Sequence, residues 1–168
     1  MELNKSDKMI TFNEMNKGSI VSGTVKNIKP YGAFIQTDNG IDGLLYIEDI
    51  SVARIKTPAE RLKVGQKINV VVKDIDIDKN RVYFSYKEML GTWEENVEDL
   101  EEKAVVPGII RETEKDKRGI FVELKPNLVG MAEYREGMQY GQKVDVYVKK
   151  IVKEKKKIKL IIKSNNDN

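Results

Sequence analysis

The chain of 168 residues contains neither cysteine nor histidine. Disulfides and thiolate metal sites are therefore excluded. The commonest general base and the commonest metal ligand are missing as well, so any catalysis would have to rest on carboxylates, lysine, serine or tyrosine. No apolar run approaches the roughly twenty residues that a membrane-spanning helix requires. The segment Met1 to Lys8 is polar and lacks the apolar stretch of a secretory signal. These absences lead us to expect a cytoplasmic protein that does not engage a membrane, with no cofactor.

The composition, 40% apolar and 34% charged, supports a folded core under a wet surface. Net charge is only +3, but its distribution is uneven. From Glu88 to Glu102 there are seven acidic residues and no basic one. From Gln142 to Lys163 nine lysines stand against Asp145 and Glu154. Such segregation suits a surface facing a polyanion, although a solvated lysine-rich strand pair would look the same.

An internal repeat organises the chain. Gly32-Ala33-Phe34 matches Gly119-Ile120-Phe121, and a glycine follows each Phe after nine positions, at Gly43 and Gly130. G-Q-K-I-N-V-V-V-K from Gly65 matches G-Q-K-V-D-V-Y-V-K from Gly141. Sixteen positions beyond those glycines, Arg81 and Lys157 each open an alternating apolar run. The second copy is shorter, because Gly65 follows Gly43 by 22 positions and Gly141 follows Gly130 by 11.

Within the first copy, strands are expected at Ser19–Lys29, Tyr31–Thr37, Ile41–Ile47, Lys67–Ile77 and Arg81–Tyr86, separated by turn signals such as Asp38-Asn39-Gly40. Five short strands in about 70 residues fit a small closed barrel, with Gly23 as a bend. A short helix is expected over Thr57–Lys63. A second is expected over Thr92–Lys103, where Thr92 and Glu95 make a capping box and Trp93, Val97, Leu100 and Ala104 form an apolar stripe suited to packing on a barrel. The expected organisation is an N-terminal extension (1–15), a first barrel (16–90), an acidic linker helix (91–103), a second barrel (104–164) and a tail (165–168). Ile10, Phe12 and Met15 could dock on the first barrel.

Small five-stranded barrels bind oligomers on the face of their second and third strands. Single strands are held there by rings that stack on bases and cations that follow phosphates. The first copy supplies Tyr31, Phe34 and Tyr46, with Lys26, Lys29, Arg81 and Lys87 as nearby cations. Ideal alternation would put Tyr31 and Phe34 on opposite faces, so a bulge near Gly32 would be needed to bring both outward. Taken alone, Phe34 reads as a core residue.

The order G-S-I-V-S-G-T-V, Y-G-A-F-I, D-G-L-L-Y-I-E-D-I-S, L-K-V-G-Q-K-I-N-V-V-V and R-V-Y-F-S-Y-K, spanning Gly18 to Lys87, resembles the S1 RNA-binding domain. That resemblance implies an all-β fold of two tandem five-stranded OB-fold (S1-type) barrels joined by a short α-helix. It implies an RNA face at Tyr31, Phe34, Tyr46, Asp76 and Arg81, with Tyr46 in place of the family's histidine and Asp78 as an alternative to Asp76. It also implies single-stranded RNA as partner, mRNA in particular, handled near the small ribosomal subunit by a monomer with a part in translation.

The second copy resembles the family less. Its aromatic positions fall on Arg118 and Phe121, its histidine position on Glu133 beside Tyr134, and its Asp and Arg positions on Val152 and Lys157. Sequence-blind phosphate contact through Lys153, Lys155 and Lys157 is expected there. Two other functions compete. One is a metal-dependent nuclease built on Asp74, Asp76 and Asp78, which lacks the remaining residues of a calcium loop. The other is an adaptor that docks protein or the ribosome with weak RNA binding.

Overall fold

The structure, a computed structural model, describes residues 15–113 and 119–165. The expectations for Ile10, Phe12, Arg118 and most of the terminal extensions lie outside that range. The main division of the chain falls between Leu90 and Gly91.

In the first unit β1 (Ile20–Lys29), β2 (Gly32–Thr37), β3 (Asp42–Tyr46), β4 (Lys67–Asp76) and β5 (Arg81–Ser85) close into a barrel in the order β1-β2-β3-β5-β4. The β3–β5 pairing is parallel and the others are antiparallel. Period-two alternation sorts the side chains. Val25, Ile35, Leu45, Val70, Val72 and Phe84 fill the interior, and Met15 packs at its margin. The helix expected over Thr57–Lys63 is one 3-10 turn at Pro58–Glu60. The Arg61 and Leu62 amides both donate to Pro58 O at 3.0 Å, and the Leu62 side chain is buried in the first core.

The second unit repeats this topology. The strands β6 (Val105–Thr113), β7 (Ile120–Lys125), β8 (Leu128–Ala132), β9 (Lys143–Val152) and β10 (Lys157–Asn165) close in the equivalent order, with β8–β10 parallel. One interior feature has no counterpart in the first barrel. Arg111, the bulged residue of β6, is 6% exposed and donates from Nε to Glu123 Oε1 at 3.0 Å. Its guanidinium also reaches Tyr140 Oη at 3.2 Å. At the equivalent bulge of the first barrel, Lys26 is exposed.

The helix expected over Thr92–Lys103 is confined to α1 (Trp93–Val97). Its N-terminus forms as the capping box requires, with Glu95 N donating to Thr92 Oγ1 at 3.1 Å and Thr92 N donating to Glu95 Oε1 at 3.0 Å. Its far end has no basic residue to meet the negative pole of the helix dipole. Glu98, Asp99, Glu101 and Glu102 follow there instead, and like charge at that pole opposes further turns. The apolar stripe does pack on a barrel: Val97 joins the second core, and Trp93 and Leu100 lie against it. Lys125 Nζ ties the helix down through Asn96 O at 2.9 Å and Asp99 Oδ1 at 2.6 Å. Thr92→Ala should lower the stability of this unit by about 1 kcal/mol. The loss should appear as a lower midpoint in urea followed by Trp93 fluorescence, and an unchanged midpoint would show the cap to be dispensable.

Candidate nucleic-acid interface

Residues facing outward on β2, β3 and β5 form one surface. On β2, Ala33 and Ile35 point into the barrel, so Phe34 points out and is only half-buried. The reading of Phe34 as core is thereby corrected. No bulge lies in β2. Tyr31 occupies the turn before the strand, where alternation does not apply, and the bulge lies in β1 between Val25 and Asn27, opposite Ile35 and Phe34. Tyr31 is exposed and meets Phe34 edge to face, with ring centroids 6.3 Å apart.

Cross-strand register places the remaining rings. Phe34 lies opposite Leu44, and Leu44 lies beside Tyr83 of β5. Tyr46 stacks on Tyr83 with centroids 6.0 Å apart and planes 10° from parallel. Tyr46 is also the partner of Gly32. A Cβ at Gly32 would come within 2.4 Å of Leu45 O, so only glycine lets β2 and β3 approach here. The result is an outward surface bearing Tyr31, Phe34, Leu44, Tyr46 and Tyr83. Tyr83 was missed by sequence reasoning, yet its signal was present: in R-V-Y-F-S, alternation puts Tyr83 on the face of Arg81, because Val82 and Phe84 are buried.

The β4–β5 hairpin borders this surface. Asp76 faces Arg81 across it, and Asp74 faces Tyr83. Asp76 Oδ1 accepts from Lys79 N at 3.1 Å, while Asp78 lies in the turn itself. Asp74 pairs with Lys17 at 3.0 Å. The hydrogen bond from Lys17 and another from the Ile75 amide hold the Asp74 carboxyl below its ordinary range. Lys26 and Lys29 are exposed on β1, where Lys29 faces Gly32.

Lys87 is placed differently from the other cations. It donates to Glu48 O at 3.2 Å and stands 3.9 Å from the buried Asp49 carboxylate. Asp49 also accepts from Lys73 Nζ at 2.8 and 3.0 Å. That hydrogen bond raises the Lys73 ammonium above its ordinary pKa, against the opposing effect of burial. Asp49 thus engages both Lys73 and Lys87.

The second barrel carries the same rows with different chemistry. Phe121 lies opposite Met131, Met131 beside Lys159, and Lys159 opposite Lys150. In the first barrel these positions are Phe34, Leu44, Tyr83 and Asp74. Phe121 is half-buried and Met131 exposed. Glu133, at the position of Tyr46, is also exposed. Lys157 faces Val152. Lys153 and Lys155 sit in the intervening 3-10 turn, and Lys156, left-handed at φ 51°, pairs with Glu94 at 3.4 Å.

Residues 14–87 match the family model described as the S1 RNA binding domain. This segment of the chain, the first barrel, belongs to the S1 RNA-binding domain family. Relatives extend the likeness beyond this one S1 domain. The chain is 30% identical over 179 residues to the small ribosomal subunit protein bS1 of Staphylococcus aureus, covering 99% of this chain and 45% of that protein. It is 34% identical over 171 residues to a 4-hydroxy-3-methylbut-2-enyl diphosphate reductase of Clostridium tetani, covering 94% of this chain and 26% of that protein. The chain therefore spans less than half the length of either relative. Among solved structures it is similar to GSP13 from Bacillus subtilis, at 24% identity and a TM-score of 0.44 over 54% of this chain and 75% of that one.

Proposed function

We propose that this protein binds unstructured single-stranded RNA, with mRNA as its ligand in translation, and that the first S1 barrel is the reader. The observation that carries this reading is the ring surface on β2, β3 and β5, backed by membership of an RNA-binding domain family. Rings that face outward in a row offer flat apolar area to unpaired bases, and any base can use it. Arg81, Lys26 and Lys29 supply charge for the adjoining phosphates, and Asp76 can accept from a base edge. Lys87 is left a structural role beside Asp49. On the second barrel Phe121 keeps one ring, while Lys153, Lys155 and Lys157 add affinity without reading bases.

The wider assignments belong to the same proposal. The similarity to bS1 supports a place beside the small ribosomal subunit, and hence in the cytoplasm. No described helix is long and apolar enough to cross a membrane. Among the described residues both sheets close into barrels, which removes the open edge strands that pair copies of a chain and supports a monomer. We assign the chain no catalysis. Among the described residues no group of three or more acidic side chains could hold a metal ion. Asp74 is engaged by Lys17, and Asp76 by its own turn.

Single- and double-stranded RNA and DNA titrated across salt concentrations test this reading. Single-stranded RNA should bind more tightly than either duplex, and the excess should survive high salt, because stacking is not screened. Equal affinity for single strands and duplexes would contradict it. Tyr83→Ala should weaken single-strand binding by about 1 kcal/mol or more, both through its own lost surface and by freeing the Tyr46 ring it supports. Unchanged affinity in that variant would remove Tyr83 from the site.

A further inference from the structure

We infer that the β8–β10–β9 face of the second barrel is a binding site for the phosphodiester backbone of paired nucleic acid, built on Lys150, Lys157 and Lys159. This deepens the electrostatic part of the proposal above and is independent of the ring surface.

Lys159 lies directly opposite Lys150 across β9 and β10, and both are exposed. Like charges so placed destabilise a strand pair unless an anion lies between them. Lys157 stands two residues along β10 on the same face, about 6.7 Å further along the strand. Among the described residues none of the three has a carboxylate partner. In the first barrel Lys73, Lys17 and Lys67 are each paired, with Asp49, Asp74 and Asp38. Acid borders this face: Glu133 takes the position of Tyr46, Asp145 lies further along β9, Glu112 on β6 is paired with Arg54 at 3.3 Å, and Glu102 accepts from the Ile151 amide at 3.0 Å.

The exchange of residues between equivalent rows points to the kind of ligand. Tyr83 and Asp74 are replaced by Lys159 and Lys150, so ring area has been lost and positive charge gained. The stacked ring pair of the first barrel is thus gone from this row, and with it part of the advantage that unpaired bases offer, while Tyr147 further along β9 is covered by Lys163 at 5.4 Å. A lysine face instead gains from charge density, because each duplex phosphate releases more counterion, about 0.9, than each single-strand phosphate, about 0.7. The two barrels are thereby fitted to opposite forms of nucleic acid. An acidic polypeptide would also meet the lysines, but its charges are sparser than those of a duplex.

The test uses the full chain and its K150Q/K157Q/K159Q variant, with a blunt RNA duplex, a DNA duplex of the same sequence, oligouridylate and polyglutamate as probes. The three residues are exposed, and circular dichroism should confirm an unchanged fold. A K150R/K157R/K159R variant keeps the charge and serves as control. The unaltered chain should bind duplex at low salt. The glutamine variant should lose at least about tenfold in duplex affinity and up to about three units of salt slope, while the arginine variant should retain both. Oligouridylate should lose only the salt-dependent share of its affinity that Lys157 contributes, and should keep the share that the rings of the first barrel carry at high salt. Equal losses on both duplexes would assign the face to the phosphodiester chain in general, and loss on RNA alone to the A-form backbone. No duplex binding by the unaltered chain, or full retention by the glutamine variant, overturns the inference. So does a glutamine variant that loses polyglutamate binding alone, which would make the face a protein-docking surface.

Discussion

Phe34→Ala and Tyr46→Ala should each weaken binding of unstructured RNA by about 1–3 kcal/mol, roughly fivefold to more than a hundredfold, and should leave the barrel folded. Both rings point away from the core, to which the same strands contribute Ile35 and Leu45 from their opposite face. Truncation therefore removes ligand contact without opening an interior cavity. The salt slope should hardly change, because neither residue is charged. The double variant should lose the preference for single strands and retain whatever the lysines contribute. Its loss should fall short of the sum of the single losses if one base spans both rings. Fluorescence anisotropy of a labelled oligouridylate reads all these quantities. A folded variant with native affinity would place the site elsewhere.

Arg111→Met should destabilise the second barrel by about 3–5 kcal/mol, a large share of what a domain this small possesses. The change leaves the Glu123 carboxylate buried with its ionic partner gone. The packing of Arg111 over the Tyr140 ring, at 5.4 Å from its centroid, is disturbed as well. The second prediction lies in the rescue. Arg111→Met combined with Glu123→Leu should recover most of the loss, because an apolar pair of similar volume carries no uncompensated charge. Urea unfolding of both variants decides this. A double variant as unstable as the single one would show that packing around Tyr140, and not the ion pair, is what the site requires.

Much of this was legible in the sequence because barrels of this size depend on period-two alternation and on glycine at close approaches. The ten strands follow from the matched repeats. Asp76, which the resemblance to the S1 domain implied with Asp78 as the alternative, faces Arg81 across the β4–β5 hairpin. What escaped the sequence was set by tertiary contacts. Periodicity could not show that Tyr31 lies in a turn, so an unneeded bulge was expected in β2. Helical spacing through Leu100 gave no hint that the acidic run would end α1 at Val97. Tyr83 went unnoticed because its neighbours on the surface, Leu44 and Tyr46, come from a strand more than thirty residues away that pairs with β5 in parallel. Lys87 looked like a free cation because Asp49, its partner, is distant in sequence.

The central claim, that bases stack on the outward rings of the first barrel, is tested most directly by following the aromatic resonances of the protein while oligouridylate is added. Stacked bases should shift the ring signals of Tyr31, Phe34, Tyr46 and Tyr83 upfield and leave that of the buried Phe84 in place. Saturating RNA that moves only signals of the second barrel, or none of these four rings, would contradict it.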